Sequence, residues 1–166
     1  SMAERDDYRW FDYNFPLAIA SLDAIRLGDY SLALKLCEKL SNEYRYSNLN
    51  EIAGVLTTKN KIDSLEIVID KIDNADVKSD VILTVVRVFA DSNRLENAMN
   101  YLGRVKNPDH ISLANAAIAK CEARNMNFKK AVAFADHCSP KDKLNVYAYI
   151  LNQYSRKRNQ NIKAKL

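Results

Sequence analysis

The three cysteines are the residues in this chain best suited to metal binding or redox chemistry. No Cys-x-x-Cys pair is present, and the spacing of Cys37, Cys121 and Cys138 matches no zinc motif. In the repeat pattern described below, each cysteine takes a position where the other copies have an aliphatic residue. The pattern therefore predicts three buried thiols and no metal site, and the odd, unspaced set fits a reducing compartment.

The two histidines do not form a catalytic group with other residues. His137 aligns with basic residues of the other copies, which predicts an exposed helical position, and His110 is expected in a solvated or capping role. No nucleophile, base and orienting carboxylate converge by spacing, and isolated glycines cannot form a phosphate-binding loop. We therefore expect no enzyme, no cofactor and no small-molecule substrate. An enzyme with an unfamiliar site would need a pocket of converging ionisable groups.

The composition bounds the fold class. The 166 residues are 48% hydrophobic and 28% charged, with 3 glycines and 3 prolines, which favours helices over a turn-rich sheet protein. The sequence has no apolar run of membrane-spanning length and no signal-peptide pattern, so we expect a soluble, intracellular and most simply cytoplasmic protein. The net charge of +4 is concentrated at the end of the chain, where residues 143–166 contain six basic residues and no acidic one.

A repeat of helical faces dominates the sequence. Small or apolar anchor residues recur at Ala33, Leu65, Ala98 and Ala131, which are 32, 33 and 33 residues apart. A second helical face precedes each anchored helix, and turn residues separate the two. Asp76, Asp109 and Asp142 align where the first helix of a pair would begin and could accept hydrogen bonds from its unpaired N–H groups.

The repeat predicts an all-α fold, a right-handed α-solenoid of about four helical-hairpin repeats with a period of about 33 and terminal capping helices. The expected organisation is an aromatic N-terminal cap segment at 1–14, four repeats at 15–142, a capping helix at 143–158 and a basic tail at 159–166. The face predicted to pack in the capping helix contains Leu144, Tyr147, Ala148, Leu151 and Tyr154.

The stretch GDYSLALKLCEKL, from Gly28 to Leu40, resembles the second helix of a tetratricopeptide repeat. Its Gly-Asp-Tyr turn, small Ala33 and apolar Cys37 and Leu40 have counterparts in that family. The first-helix Trp and Gly-x-x-Tyr are missing, and the period is one residue short, so the resemblance is to a tetratricopeptide-like array. Residues 108–138 also resemble a pentatricopeptide repeat, a related hairpin that binds single-stranded RNA.

The tetratricopeptide resemblance implies a concave groove lined by solvent-facing positions of the first helices, and thus a protein-interaction module, adaptor or scaffold that binds a peptide or helix. Arg26, Arg87, Lys120 and Arg124 favour an acidic partner. The alternative is that these solvent-facing positions form an ordinary hydrated surface that binds no partner. The partner-contacting residues implied are Arg26, Asn50, Gly54, Thr57, Thr58, Thr84, Arg87, Asp91, Lys120 and Arg124.

Two other segments are alternative sites. The aromatic residues Tyr8, Trp10, Phe11 and Tyr13 are expected to form an N-terminal cap, and otherwise a docking element. The basic end from Ser155 is interpreted as a frayed helix end, with nuclear targeting, lipid attraction or RNA contact as lesser readings. Single-stranded RNA is the second partner class considered, but the nearly neutral body of the chain favours protein.

Overall fold

The computed structural model describes residues 13–163, which form nine helices and no strand. The prediction of an all-α fold is confirmed for this part of the chain. The helices are α1 (Asn14–Leu27), α2 (Tyr30–Cys37), α3 (Asn42–Thr58), α4 (Ile62–Asp70), α5 (Ala75–Asp91), α6 (Leu95–Leu102), α7 (Pro108–Arg124), α8 (Phe128–Asp136) and α9 (Pro140–Lys163).

The helices alternate between long and short, and their starts keep a constant spacing. The long helices α3, α5 and α7 each have 17 residues and begin at Asn42, Ala75 and Pro108. The short helices α2, α4, α6 and α8 have eight or nine residues. We call α1, α3, α5, α7 and α9 first helices and the short ones second helices.

The chain divides into two compact units, one ending at Ile52 and the other beginning at Ala53, within α3. In the first unit α1 packs on α2, and Ser21 Oγ donates a buried hydrogen bond to the Ala33 carbonyl at 3.0 Å. Asn48 Nδ2, on α3, donates to the Ala18 carbonyl at 2.9 Å. These two bonds fix α2 and the start of α3 against α1.

In the second unit, packing runs between helices that are adjacent or once removed in sequence. Helix α5 contacts α4, α6 and α7, and α7 contacts α8 and α9 in addition to α5 and α6. One buried cluster joins the last three helices through small residues of α7 and α8 and through Val146 and Ile150 of α9. Helices α5 and α7 therefore each pack against the neighbouring short helices and against the next long helix.

The turn inside each helix pair has the same geometry four times. A residue with left-handed backbone follows α1, α3, α5 and α7: Gly28 (φ 86°), Asn60 (56°), Asn93 (59°) and Met126 (62°). At every one, the next residue's N–H bonds a carbonyl five residues back, as in Asp29 to Ala24 at 2.9 Å. This double hydrogen-bond pattern ends a helix and turns the chain. The turns lie where the sequence predicted them.

The four anchor residues are fully buried. Ala33, Leu65, Ala98 and Ala131 each have 0% exposure and each is the fourth residue of its short helix. The small side chain at three of these positions allows a neighbouring helix to approach closely. The prediction that the anchors share equivalent buried positions is confirmed.

The helix caps differ from the expectation. Asn74 accepts hydrogen bonds from the N–H groups of Asp76 and Val77 at 3.0 Å, and Asn107 caps α7 in the same way. The capping residue is thus an asparagine two positions before the aligned aspartate, because the cap must precede the first helical residue. At α9, Ser139 Oγ accepts from the Asp142 N–H at 3.3 Å.

Helix α9 differs from the prediction in its buried face and its length. Val146 and Ile150 are its buried residues, whereas Leu144, Leu151 and Tyr154 are 73%, 65% and 53% exposed. The prediction is wrong for Leu144, Ala148 and Leu151, which lie on a side of α9 that is exposed. Tyr147 packs against the buried cluster, and the Tyr154 ring lies 5.3 Å from the Phe128 ring, as the prediction requires. The helix continues past the expected boundary at 158, since no glycine, proline or left-handed residue interrupts it before Lys163.

Within residues 13–163, no helix combines the length and the apolar content that crossing a bilayer requires.

Candidate functional site

The predicted contact residues of the second unit lie at matching positions of successive first helices. Gly54, Arg87 and Lys120 are each the thirteenth residue of α3, α5 and α7, and Thr58, Asp91 and Arg124 are each the seventeenth. Arg87 is exposed and Lys120 is half-buried. We call Arg87, Asp91, Lys120 and Arg124 the first-helix surface.

Two of these four residues bind each other. Arg124 Nη2 lies 3.4 Å from Asp91 Oδ1 and donates to the Ala90 carbonyl at 3.1 Å. Because the pair joins the ends of α5 and α7, Arg124 has a structural role and its charge is partly neutralised. Its predicted role as a partner contact stays a prediction.

Arg87 and Lys120 keep their charges available. Among residues 13–160, neither has a carboxylate within ion-pair distance. With the Arg124–Asp91 pair counted as neutral, they give the first-helix surface a net positive charge. An acidic side chain that approaches α5 and α7 would meet these two cations first.

Thr57 is not on the surface. Its exposure is 0%, and its Oγ1 donates to the Ala53 carbonyl at 2.6 Å. The expectation that Thr57 faces solvent is wrong, because the two threonines at the end of α3 point to different sides of the helix. Thr58 is exposed and its hydroxyl bonds the Gly54 carbonyl at 2.9 Å, and Thr84 is half-buried.

The predicted residues before position 53 belong to the first unit. Arg26 is exposed and forms an ion pair with Asp23 at 3.0 Å, one turn earlier in α1. Asn50 is half-buried on α3. Tyr13 is 77% exposed, and the rest of the aromatic candidate site, Tyr8, Trp10 and Phe11, lies outside the described residues.

All three thiols are buried, as predicted, with exposures of 1%, 1% and 7% for Cys37, Cys121 and Cys138. Burial raises the pKa of Cys37 to about 11 and raises the pKa of the other two as well. A raised pKa leaves the thiol protonated and weakly nucleophilic near neutral pH. The cysteines therefore behave as core residues.

The histidines also have structural surroundings. His137 is exposed at the end of α8, as expected. His110 is half-buried, with Nδ1 3.2 Å from Ser79 Oγ and Nε2 3.9 Å from Asp80 Oδ1. In the part of the chain that the structure describes, no group of three or more His, Cys, Asp or Glu residues is arranged to hold a metal ion.

A charged cluster on the second helices was missed from sequence. Glu66 of α4 accepts hydrogen bonds from both terminal nitrogens of the Arg104 guanidinium, at 2.8 and 2.9 Å, and from the Tyr101 hydroxyl. Arg104 also lies over the Tyr101 ring, 5.0 Å from its centroid. Glu66 lies in α4 and Arg104 lies just after α6, 38 residues further on, so the spacing of the repeat gave no signal for this contact.

A cavity of about 310 Å³ adjoins this cluster. Its polar lining includes Lys78, Arg104 and Lys106 on the basic side and Asp70 on the acidic side. Since Glu66 engages Arg104, the cavity presents two lysines and one aspartate, with a smaller excess of positive charge than the first-helix surface.

Comparison with models of known protein families, with curated proteins and with solved structures finds no match to this chain.

Proposed function

We propose that this chain is a non-enzymatic protein-interaction module, an adaptor or scaffold, that binds an acidic peptide or helix on the first-helix surface. The helix pairs would stack as a right-handed α-solenoid of about four repeats, with the first helices lining its concave side. The proposal includes Thr58 and Thr84 as neutral contacts beside the charged residues. Binding of this kind needs an exposed, regular surface and no reactive group.

The observation that carries the proposal is the exposed, unpaired charge of Arg87 at the position where the neighbouring first helix has Lys120. Residues 13–160 offer neither side chain an ion-pair partner, so both charges can attract an acidic ligand. Equivalent positions on successive first helices would place binding groups in a row, one from each helix pair. A helical or extended peptide with regularly spaced carboxylates could bind such a row.

Single-stranded RNA is the alternative partner. The same cations would contact phosphates, and the basic end of α9 would add to the attraction. The described surface favours an acidic peptide because the first-helix positions carry no exposed aromatic side chain in α5 or α7 on which a base could stack.

The proposal is tested with two fluorescein-labelled probes, an acidic peptide with carboxylates at helical spacing and a single-stranded RNA of similar length. Fluorescence anisotropy measures the affinity of each probe for the native chain, Arg87→Glu and Lys120→Glu. Each reversal should weaken peptide binding about tenfold at low salt, and the loss should shrink as salt screens the charges. Melting temperatures should change little, because exposed charges contribute little to folding.

Lys130→Glu is the matched control, since it makes the same change of charge at an exposed position of α8. If Lys130→Glu weakens peptide binding as much as Arg87→Glu and Lys120→Glu do, the attraction depends on net charge only and the proposed site is wrong. If the RNA binds more tightly than the peptide and deletion of 156–166 flattens its salt dependence, the chain is an RNA-binding array. Loss of peptide binding on changes at Trp10 or Phe11 alone would move the site to the aromatic segment.

A further inference from the structure

One side of α9 is apolar and open to solvent. Leu144 and Leu151 are 73% and 65% exposed, and Ala148 and Ser155 are exposed between and beyond them. These four residues follow each other at intervals of three or four and therefore lie on one face of the helix. We call them the outer face of α9.

The same face is buried on the preceding first helices. Ser79, Ser112 and Leu144 are each the fifth residue after the residue that caps the helix. The equivalents of the outer face have exposures of 0 to 7%: Ser79, Leu83, Val86 and Ala90 in α5, and Ser112, Ala116, Ala119 and Ala123 in α7. The outer face of α9 thus repeats a pattern that is covered in α5 and α7.

The element that covers this pattern is the next first helix. Ala116, Ala119 and Ala123 of α7 belong to one buried cluster with Val146 and Ile150 of α9. Ser79 of α5 accepts a hydrogen bond from the N–H of Asn107, which caps α7. The covering face on α7 contains Ala114 and Ile118, which lie twelve and eight residues before the left-handed turn at Met126.

The equivalent residues of α3 and α5 are buried, whereas those of α1 are open to solvent. Pro16 and Ala20 of α1 lie twelve and eight residues before the left-handed turn at Gly28, and both are exposed. Tyr13 and Leu27 extend this face at either end, with exposures of 77% and 87%. We call these four residues the open face of α1.

The two faces also complement each other in charge. Where α7 packs on α5, Cys121 of α7 contacts Asn93 at the end of α5. In an α1–α9 contact of the same geometry, Asp23 of α1 takes the place of Cys121, and Arg158 of α9 takes the place of Asn93. The surrounding sequence has the same signs: residues 1–29 contain six acidic and three basic residues, and residues 140–166 contain one acidic and seven basic residues. Opposite charges at the two ends favour a head-to-tail contact over contact between like ends.

We propose that the outer face of α9 binds the open face of α1 of a second copy of this chain. In this register Leu144 faces Tyr13, because Ser79 at the same position of α5 contacts the beginning of α7. The contact is heterologous, so each copy keeps one free face of each kind and further copies can add. This inference does not depend on the peptide binding proposed for the first-helix surface.

Leu144, at the start of the outer face, is suited to an apolar contact rather than to the hydrogen bond made at this position of α5 and α7. Ser79 and Ser112 each accept the N–H of the residue that caps the next first helix, at 3.1 and 2.8 Å. Leu144 takes this position in α9 and cannot accept a hydrogen bond. The loop that leads into a next repeat would lose that bond, whereas the Tyr13 ring of a second copy gains an apolar contact.

The test is analytical ultracentrifugation of the full chain, from about 10 µM to about 1 mM, a range suited to a contact as small as one helix pair. We expect the average mass of the native chain to rise with concentration and to fall as salt is added. Leu151→Glu and Ala20→Glu each disable one face, so each variant alone should remain monomeric. An equimolar mixture should form a one-to-one dimer, because one intact face of each kind remains.

Ile67→Glu is the control, since it replaces a 52% exposed residue of α4 outside both faces and should associate like the native chain. A native chain that stays monomeric over the whole range would overturn the proposal. If Leu151→Glu prevents association but Ala20→Glu does not, the contact is between two α9 helices and the head-to-tail arrangement is wrong. Circular dichroism of each variant verifies that the exposed substitutions leave the helices intact.

Discussion

Glu66 of α4 binds Arg104, two residues after the end of α6, through two parallel hydrogen bonds, 2.8 Å from Oε1 to Nη1 and 2.9 Å from Oε2 to Nη2. These hydrogen bonds lower the pKa of the Glu66 carboxyl, and the Tyr101 hydroxyl adds a third bond to it. A two-point contact fixes orientation as well as distance. The pair therefore sets how α4 and α6 lie against each other within the second unit.

Glu66→Gln should lower the free energy of unfolding by about 1 kcal/mol near neutral pH, because a partly exposed charged pair contributes less than a buried one. A carboxyl whose pKa is lowered in the folded state stabilises the protein above its unfolded pKa, and this contribution disappears as pH falls through the folded pKa. The difference between native chain and variant should therefore be constant above about pH 5 and vanish in acid. Urea titrations across this range measure it.

Glu96→Gln provides the comparison, since Glu96 is exposed on α6, the helix that precedes Arg104, and has no hydrogen-bond or ion-pair partner among residues 13–160. It should leave stability unchanged at every pH. Equal losses in both variants would mean that net charge, and not the Glu66–Arg104 contact, determines the effect.

Ala98→Asp should unfold most of the protein or make it insoluble. Ala98 has 0% exposure, so the new carboxylate would be buried without a partner, which costs several kcal/mol, about as much as the whole stability of a small domain. Met99→Asp places the same residue at the next position, which is 44% exposed, and should fold normally. Thermal denaturation followed by circular dichroism distinguishes the two variants, and similar melting curves would contradict the burial of Ala98.

All three cysteines should resist a bulky thiol reagent in the native state and react fully after denaturation. Cys37 should be especially slow near pH 8, because its pKa of about 11 leaves little thiolate and its side chain is 1% exposed. The measurement is the release of the chromophore from an aromatic disulfide reagent, with and without denaturant. Rapid native labelling of Cys121 or Cys138 would show that the core opens locally.

Asn107→Ala should destabilise the protein by about 1 kcal/mol, because the N–H groups of Asp109 and His110 lose their acceptor. Asn107→Ser should retain most of the stability, since a serine hydroxyl accepts the same bonds. Asp109→Ala should have a smaller effect than Asn107→Ala, because Asp109 lies inside the helix it was expected to cap. The reverse order in urea titrations would restore the aspartate as the capping residue.

The sequence was most informative where the requirement is local and repeated. A helix pair joined by a left-handed turn needs a turn residue at a fixed distance from its buried anchor, and this relation recurs from Gly28 and Ala33 to Met126 and Ala131. The anchors and turns were predicted because each copy supports the others. Met126 is the exception in type, since methionine adopts the left-handed conformation less readily than glycine or asparagine.

Exposure was harder to predict than helix position. Thr57 and Thr58 are neighbours of the same type, and only the packing around the end of α3 makes one buried and the other exposed. In α9, apolar residues lie on two faces, so periodicity alone could not show that Val146 is buried and Leu144 is exposed. The Glu66–Arg104 contact joins residues far apart in sequence, and charge alone did not distinguish it from solvated neighbours.

The packing of each helix on the next or next but one in sequence has a kinetic consequence for the second unit. Its native contacts are formed by closing loops of a few tens of residues at most, so little chain entropy is lost before each new contact forms. Proteins with such a low contact order fold in microseconds to milliseconds. A helix pair such as α7 and α8 can therefore form early, and the helices on either side can then add to it one at a time.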